Sequence, residues 1–214
     1  EYNALQAAEV LTFEEGLRLV KKRGELMSQA KDGGMAAILN SSEDAINKIL
    51  EEANLTSIDI ANLNAPTQIV ISGLKEDINK AQSFFEKADT MFIPLNTSGA
   101  FHSKYMKEAG KEFEKVARKV KYSKAKFPVI ANVNARPYRR DRVAKYLSNQ
   151  IFNCVRWSES IEYLLNKGEM QFEELGVGDV LTKLQGYIER SYNAKNKIEQ
   201  PAKVTPEEVQ KEVA

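Results

Sequence analysis

The chain has only one cysteine, Cys154, and one histidine, His102, among its 214 residues. A single thiol excludes an internal disulfide, a zinc cluster built on thiolates and a dithiol redox pair. No apolar run approaches the roughly 18 to 20 residues that a membrane-spanning helix needs, so no membrane partner is predicted. The first residues, EYNALQAAEVLTF, lack the basic-then-apolar layout of a secretory signal, and the cytoplasm is therefore the expected location.

An excess of charge of one sign is also missing. The chain carries 31 basic and 30 acidic side chains, a formal charge of +1, which argues against nucleic acid as a partner. One local stretch stands out, because ARPYRRDR, residues 135–142, gathers four arginines around one tyrosine. Two interpretations stay open for it: a solvated loop, or a docking surface for an acidic partner or a phosphate.

An amphipathic helix is predicted from Thr12 onwards. Thr12 and Glu15 have the spacing of a capping box, in which each side chain bonds the other residue's free backbone N–H. The predicted apolar stripe consists of Phe13, Leu17, Val20, Gly24 and Met27. Arg23 is expected to project near this stripe, where a guanidinium needs an anion or hydrogen-bond acceptors to offset its desolvation.

Residues 34–96 alternate between strand and helix signals. MAAILN, SIDIANLN, QIVISG and TMFIPLN read as strands, while SSEDAINKILEEAN and KEDINKAQSFFEKAD read as helices. The resulting order, β-α-β-β-α-β, is that of a ferredoxin-like unit, a four-stranded sheet with two helices on one face.

Helical spacing returns after residue 98. HSKYMKEAGKEFEKVARKV places an apolar stripe on one face, formed by Met106, Ala109, Phe113, Val116 and Val120. FPVIANV and MQFEELG are predicted as strands, and YLSNQIF, SIEYLLNKG and VLTKLQGYIERSY as helices. This alternation favours a mostly parallel sheet covered on both faces. The predicted organisation is therefore an α/β core over 1–32 and 98–193, an inserted ferredoxin-like subdomain over 33–97, and a tail or linker over 194–214.

Several strings, in this order, resemble one family. They are EYNAL, VKKRGELM, GGMAA, IANLNAPTQIVISG, GAFHSKYM, the stretch from Gln150 to Trp157, and ELGVGDVL. The family is that of the malonyl-CoA:acyl carrier protein transacylases, and in particular the discrete acyltransferases that serve modular polyketide synthases in trans. The resemblance runs from residue 1 to about residue 190.

The resemblance implies an α/β-hydrolase-like acyltransferase core that is incomplete at its N-terminus. The family's catalytic motif is Gly-His-Ser-x-Gly-Glu followed by Tyr or Phe, so the nucleophilic serine is expected three positions before Glu1, outside this fragment. The implied reaction moves malonyl from malonyl-CoA to the phosphopantetheine thiol of an acyl carrier protein through a seryl ester. No bound cofactor and no metal are implied, and a monomer is expected.

Three site residues follow from the resemblance with clear chemical roles. His102 is the implied general base, kept neutral by its position at a helix N-terminus. The backbone carbonyl of Gln150 is the implied group that orients the ring. Arg23 is the implied clamp for the free carboxylate of malonate, which a guanidinium can hold by two parallel hydrogen bonds. The alternatives are a histidine that only caps or packs, and an arginine in a structural ion pair.

Two further substrate-binding residues are implied, and one tempting nucleophile is rejected. Phe101 is the implied selector of malonyl over methylmalonyl, although an ordinary core aromatic would look the same. Asn64 is an implied cleft residue, with turn chemistry before Pro66 as its alternative. Cys154 lacks an activating neighbour in sequence and is expected to be a small buried residue.

Two other function classes compete with the transacylase. An acyl hydrolase, a proofreading thioesterase of the same fold, would release the acyl group to water and would have little use for Arg23 as a clamp. A binding module built on the ferredoxin-like unit is the non-catalytic alternative, but its strands lack the exposed aromatics that RNA-reading sheets use. Whether the pathway makes fatty acids or polyketides stays open, with KKRGELM and DIANLNAPTQIVISG favouring polyketides.

Overall fold

A computed structural model describes residues 1–88 and 90–199 of the chain. Within these ranges it contains eight α-helices and six strands. The helices are α1 (Tyr2–Ala7), α2 (Phe13–Met27), α3 (Glu43–Glu52), α4 (Lys75–Lys87), α5 (Lys107–Ala117), α6 (Val143–Gln150), α7 (Trp157–Leu165) and α8 (Val180–Glu199). The strands are β1 (Gly33–Leu39), β2 (Asp59–Ala65), β3 (Gln68–Leu74), β4 (Met91–Leu95), β5 (Ile130–Ala131) and β6 (Arg136–Pro137). In this part of the chain no helix combines the length and the hydropathy that crossing a bilayer requires.

Strands β1 to β4 form one antiparallel sheet in the order β2-β3-β1-β4. With helices α3 and α4, the elements follow the order β-α-β-β-α-β that the sequence predicts. Apolar side chains of β1 and β3, among them Ile38 and Ile71, pack with Ile46 of α3 and with Ile78 and Phe85 of α4 into one core. The two helices therefore cover one face of the sheet, and the other face is left for the cleft described below.

Four of the other helices pack around a second core, and α7 and α8 pack against each other and against β2 in a third cluster that contains Ile161, Leu184 and Ile188. Helices α1, α2, α5 and α6 contribute Leu5, Leu19, Phe113 and Leu147, all with 0 to 1% of their surface exposed. The stripe predicted for α5 is confirmed, since Met106 and Phe113 are buried and its other members pack against the same core. A 3₁₀ turn over Lys104–Met106 leads into α5.

Helix α2 begins with the predicted capping box but buries a different face. Thr12 Oγ1 accepts from the Glu15 backbone N–H, and the Glu15 carboxylate accepts from the Thr12 N–H. The predicted stripe is confirmed only at Met27, because Phe13 and Leu17 are 65% and 58% exposed. The buried residues are Gly16, Leu19 and Met27. Both sets have helical spacing, so periodicity alone could not decide which of them would meet the core.

One strand prediction is wrong. Residues 170–176 form no strand; instead, the Glu174 carboxylate accepts from the backbone N–H groups of Leu181 and Thr182, at 3.2 and 2.8 Å, and so caps the start of α8. The predicted parallel sheet is absent from the described residues, where the second sheet consists of β5 and β6 and is antiparallel. Alternating sequence signals specify strands, but a sheet also needs partners for them, and this second sheet has only two short strands.

The C-terminal helix is longer than predicted, and one parallel bridge ties the sheet to the helical part. Helix α8 continues through Glu199, past the predicted start of the tail at residue 194, and residues 200–214 lie outside the described part. An isolated parallel bridge joins Asn62 of β2 to Val155, with Val155 N–H bonded to the Ala61 carbonyl at 2.8 Å. This bridge fixes the edge of the four-stranded sheet against the segment between α6 and α7.

Candidate active site

A cleft of about 630 Å³ lies between helix α2, the uncovered face of the four-stranded sheet and the loop that follows β4. Its floor includes Met35 of β1 and Val70 of β3, which pack with Phe101 on the face opposite α3 and α4. The polar or charged lining residues are Arg23, Ser28, Asn62, Asn64, Thr97, Ser98 and His102. Four of the predicted site residues therefore line one cavity: Arg23, Asn64, Phe101 and His102.

His102 is held in the left-handed backbone region with a φ of 58°. Its backbone N–H donates to the Ile151 carbonyl at 3.2 Å, and its Nδ1 lies 2.8 Å from the Gln150 carbonyl oxygen. A carbonyl can only accept, so Nδ1 carries the ring proton and Nε2 keeps its lone pair. The backbone at 150–151 thus fixes both the position and the tautomer of His102 in a form that can accept a proton.

Burial keeps the His102 ring neutral. Desolvation lowers the pKa of His102 below its ordinary value of 6.5, the hydrogen bond with the Gln150 carbonyl raises it in part, and the charge of Arg23 lowers it. The sequence predicts neutrality from a helix dipole, whereas the leading cause in the structure is burial. Ser103, not His102, occupies the N-cap of the following 3₁₀ turn.

The Arg23 guanidinium contacts the side chain of the same residue, Gln150. Its Nη2 donates to the side-chain Oε1 of Gln150 at 3.0 Å, and its Nε is buried without a hydrogen-bond partner in the described residues. Gln150 itself is buried, with 8% of its surface exposed. A buried N–H that lacks an acceptor is costly. Arg23 also lines the cleft, where its charge could attract a carboxylate.

Phe101 occupies the position beside His102 where the resemblance implies a substrate selector. The ring is half-buried and packs against both the helical core and the cleft floor. A Cβ at Gly99 would lie 2.8 Å from the Phe101 ring, so this position must be small for the ring to reach its place. Phe101 therefore both packs against the core and lines the cleft.

Asn64 lies within strand β2 and lines the cleft, as does Asn62. The alternative of turn chemistry before Pro66 does not describe it, since the turn follows Ala65.

Residues that the sequence analysis did not predict include Thr97, whose Oγ1 is buried without a partner in the described part. Thr97 sits in a loop, and no motif marks it. Met35 and Val70 had a signal, because an uninterrupted apolar run such as GGMAAIL indicates a strand covered on both faces.

The first residues of the chain lie near Arg23. Burial raises the pKa of Tyr2, and the positive charge of Arg23 opposes that shift. The Glu1 carboxylate accepts from the Asn132 backbone N–H at 2.7 Å and from the Tyr138 hydroxyl at 2.9 Å. These contacts anchor the start of the chain to Asn132, in the loop between β5 and β6, and to Tyr138, which follows β6.

Cys154 lies outside the cleft and is not activated. The thiol is partly buried beside the core of the four-stranded sheet, and desolvation raises its pKa to about 12. A thiol with a raised pKa is a poor nucleophile near neutral pH. This environment agrees with the interpretation of Cys154 as a packing residue.

Sequence comparisons with known proteins assign this chain to one family. The acyl transferase domain family matches residues 1–204. The polyketide biosynthesis malonyl CoA-acyl carrier protein transacylase BaeC of Bacillus velezensis is 55% identical over 186 residues, which cover 86% of this chain and 64% of the relative. Its counterpart PksC of Bacillus subtilis is 51% identical over 196 residues, covering 91% of this chain and 68% of the relative.

A solved structure agrees with these relatives. The malonyl CoA-acyl carrier protein transacylase from Burkholderia pseudomallei superposes with a TM-score of 0.85 at 47% identity, covering 88% of this chain and 67% of that structure. The chain thus spans about two thirds of the length of these similar proteins.

Proposed function

Because the chain belongs to the acyl transferase domain family, we propose that it acts in the transfer of a malonyl group from malonyl-CoA to the phosphopantetheine thiol of an acyl carrier protein. The observation that carries this proposal is the convergence of His102 and Arg23 on one cleft through a single residue, Gln150. One group can take a proton and the other can hold a carboxylate, which are the two needs of malonyl transfer. The names of the polyketide relatives support a polyketide pathway.

In the proposed first half-reaction, a serine Oγ attacks the thioester carbonyl of malonyl-CoA while Nε2 of His102 takes the hydroxyl proton. The C–S bond then breaks, and the proton returns to the leaving thiolate as coenzyme A departs. In the second half-reaction the carrier's thiol gives its proton to His102 and attacks the seryl ester, and the serine recovers its proton. This is covalent catalysis with a shared base. The Gln150 carbonyl keeps the ring in the required tautomer throughout.

The serine itself is proposed to be encoded upstream of Glu1, at the third position before it. The contacts of Glu1 support this placement, because they anchor the start of the chain, and the charge of Arg23 acts on the neighbouring Tyr2. Sequencing the residues that precede Glu1 tests it directly. Any residue other than serine at that position would contradict the proposed mechanism.

The four-stranded unit is proposed to be a ferredoxin-like subdomain over residues 33–97, inserted into an α/β-hydrolase-like core over 1–32 and 98–193. Its strand order and its two helices on one face support the first part. The cleft would then lie between the two units, which is a common place for a substrate site.

The test of the proposed function is a transfer assay with the complete protein, malonyl-CoA and a holo carrier protein, followed by mass spectrometry of the carrier. Appearance of malonyl-carrier without matching release of free malonate is expected. Release of malonate as the main product would instead support the acyl hydrolase. A serine-to-alanine variant at the proposed nucleophile is the control, and it should form neither product.

A further inference from the structure

The backbone of His102 adopts a conformation that the surrounding chain must hold in place. Its φ of 58° lies in the left-handed region, which residues with a side chain rarely adopt, and such a conformation persists only where neighbouring contacts enforce it. The carbonyls of Gln150 and Ile151 hold the imidazole Nδ1 and the His102 backbone N–H. Both contacts act on residue 102 itself, and a second set of contacts fixes the residues that follow it.

This second set is centred on Asp59, the first residue of strand β2. The backbone N–H of Lys104, two positions after His102, donates to Asp59 Oδ2 at 2.7 Å. The Lys104 Nζ lies 3.1 Å from Asp59 Oδ1 and also donates to the Thr56 carbonyl at 2.6 Å. One carboxylate therefore binds both the main chain and the side chain of Lys104, across 45 positions of sequence.

Strand β2 also bonds the segment that holds the His102 ring. The Leu63 N–H donates to the Val155 carbonyl at 2.9 Å, and the Val155 N–H donates to the Ala61 carbonyl at 2.8 Å. Within the described pairing of β2 and β3, Ala61 has no register partner, because the register shifts at this point. Such irregularities are frequent next to active sites, where they re-aim the strand. Strand β2 thus contacts both the turn after His102 and the segment just beyond Gln150.

The two halves of the contact between Asp59 and Lys104 differ in what they can contribute. The side chains are partly exposed, 31% at Asp59 and 46% at Lys104, and an exposed ion pair stabilises a fold only slightly. The backbone N–H bonds a charged acceptor, and such a hydrogen bond is stronger than one between neutral groups. This bond does not depend on which side chain stands at position 104. The hydrogen bond to the Lys104 N–H is therefore the half that can fix the turn.

We infer that Asp59 is a positioning residue for His102, and that its hydrogen bond to the Lys104 backbone holds the imidazole where Nε2 can take a proton. The inference deepens the proposed function and rests on it for the role of His102 as the base. Asp59 does not line the cleft, so it acts through the turn and not by touching the substrate.

Three substitutions separate the hydrogen bond from the charge. Asp59→Asn keeps a carbonyl oxygen for the Lys104 N–H but loses the charge, whereas Asp59→Ala loses both. Lys104→Met removes the ammonium group and keeps the backbone N–H. The matched control is Asp77→Ala, since Asp77 also accepts from a neighbouring hydroxyl and pairs with a lysine in the same four-stranded unit. Asp77 and its two partners do not line the cleft.

Steady-state kinetics of malonyl transfer by the complete protein gives the first readout. In Asp59→Ala we expect kcat to fall by about 10- to 100-fold, while KM for malonyl-CoA changes by less than about twofold, because a misplaced base impairs the chemical step and not binding. Asp59→Asn and Lys104→Met should retain kcat within about threefold, and Asp77→Ala should leave it unchanged.

The kinetic outcomes that would overturn the inference are specific to each variant. A loss of about tenfold or more in Asp59→Asn or in Lys104→Met would overturn it, even where Asp59→Ala does not fold, because the hydrogen bond survives in both. An unchanged kcat in a folded Asp59→Ala, or an equal loss in Asp77→Ala, would overturn it as well. The melting temperature of each variant shows whether it is folded.

A second readout does not depend on catalysis. Nitrogen-15 NMR of the histidine-labelled complete protein at about pH 8, where the ring is neutral, reports which ring nitrogen of His102 carries the proton, and His102→Gln identifies its signals. The unmodified protein and Asp77→Ala should show the Nδ1–H form, because Nδ1 bonds the Gln150 carbonyl. In Asp59→Ala the share of the Nε2–H form should increase.

The NMR result separates this inference from the proposed function. An unchanged tautomer in Asp59→Ala would overturn the positioning role, whatever the activity. A changed tautomer in Asp59→Ala, in a protein whose unmodified form transfers no malonyl group, would support the positioning of His102 and count against the proposed function.

Discussion

Gln150 and Arg23 are 127 positions apart in sequence, and the Gln150 side-chain oxygen accepts from Arg23 Nη2 at 3.0 Å. The backbone carbonyl of the same glutamine accepts from Nδ1 of His102 at 2.8 Å. One buried residue therefore sets the position of both the proposed base and the proposed clamp. The two contacts use different atoms, so a side-chain substitution can disturb the clamp without removing the carbonyl that orients the base.

Replacing Gln150 by glutamate should selectively impair malonyl loading. A carboxylate at this position would pair with Arg23 and compete with the malonate carboxylate, while the backbone carbonyl would still bond His102. A hydrogen bond to a charged group contributes about 1.5 to 3 kcal/mol, so kcat/KM for malonyl-CoA should fall by about 10- to 100-fold. Steady-state kinetics with malonyl-CoA and acetyl-CoA measures this, and acetyl transfer should change little. Equal losses for both substrates would mean that the variant also disturbs the base.

Arg23 should discriminate between dicarboxylic and neutral acyl groups. Changing Arg23 to alanine removes the proposed anion partner, so loading of malonyl should fall sharply while loading of acetyl is spared. Arg23→Lys keeps the charge but loses the planar pair of donors, and it should lie between the two. Single-turnover loading of the complete protein, followed by mass spectrometry, measures each acyl-enzyme. A clamp role is contradicted if the alanine variant loses malonyl and acetyl loading to the same extent.

His102 should control both rate and pH dependence. Loss of the base in His102→Ala should slow acylation by a factor of about 100 to 10,000. Burial lowers the pKa of His102, so the unmodified protein should keep its acylation rate below pH 6.5 and lose it only as the pH falls through the lowered pKa. A pH–rate profile between about pH 5 and 8 checks this, and an inflection above 6.5 would contradict the burial argument.

The same shift has a consequence for stability. The unfolded chain binds a proton on His102 below about pH 6.5, whereas the folded chain resists protonation until the lowered pKa is reached. Folding stability from this residue is thus fully present above pH 6.5 and is lost as the pH falls toward the folded pKa. Chemical unfolding at about pH 7 and about pH 5 should show a smaller acid loss in His102→Gln than in the unmodified protein.

Local patterns in the sequence predicted individual elements better than their assembly. The capping box at Thr12, the four strands of the first sheet and the stripe containing Phe113 were all predicted from short-range spacing. The buried face of α2 was not, because the set containing Leu17 and the set containing Leu19 have the same period. Packing against α1 and α5 selects between them, and the contact with α5 joins distant parts of the chain.

In the candidate site, too, local sequence features could be predicted and long-range contacts could not. His102 and Arg23 could be singled out in the sequence because one is the only imidazole and the other is a cation near an apolar stripe. The contact of the Gln150 side chain with Arg23 could not be found, since it spans 127 positions, and the contact of the Gln150 carbonyl with His102 was implied only by the family resemblance. Thr97 also escaped notice, because an unpartnered hydroxyl is defined only by what surrounds it in the fold. The cause of the His102 pKa shift likewise depends on burial, which no local motif encodes.

Phe101 should limit the size of the acyl chain that the cleft accepts. Replacing it by serine removes a ring from the cleft wall beside His102 and should raise methylmalonyl loading relative to malonyl. A single methyl group is worth about 1 to 3 kcal/mol in a pocket, so the ratio of the two kcat/KM values should shift by roughly 10-fold or more. Competition between the two acyl-CoA substrates measures that ratio directly. The ring also packs in the core, so the melting temperature of the variant must be measured alongside; an unchanged ratio in a folded variant would reduce Phe101 to a packing residue.

A pair of glycine-to-alanine substitutions tests how the loop before His102 is held. A Cβ at Gly33 would lie 2.0 Å from the Ala100 backbone nitrogen and 2.4 Å from the Gly99 carbonyl carbon, so strand β1 and this loop could not keep their present approach. Gly33→Ala should therefore destabilise the protein by about 1 to 3 kcal/mol or more and should displace the residues that lead into His102. At Gly24, within helix α2, a Cβ would meet no atom within 4 Å, so Gly24→Ala should instead stabilise the helix by about 0.5 to 1 kcal/mol. Urea unfolding of both variants gives the two signs. An unaffected Gly33→Ala would show that the close approach of β1 does not hold the loop before His102, and a destabilised Gly24→Ala would contradict the open space at Gly24.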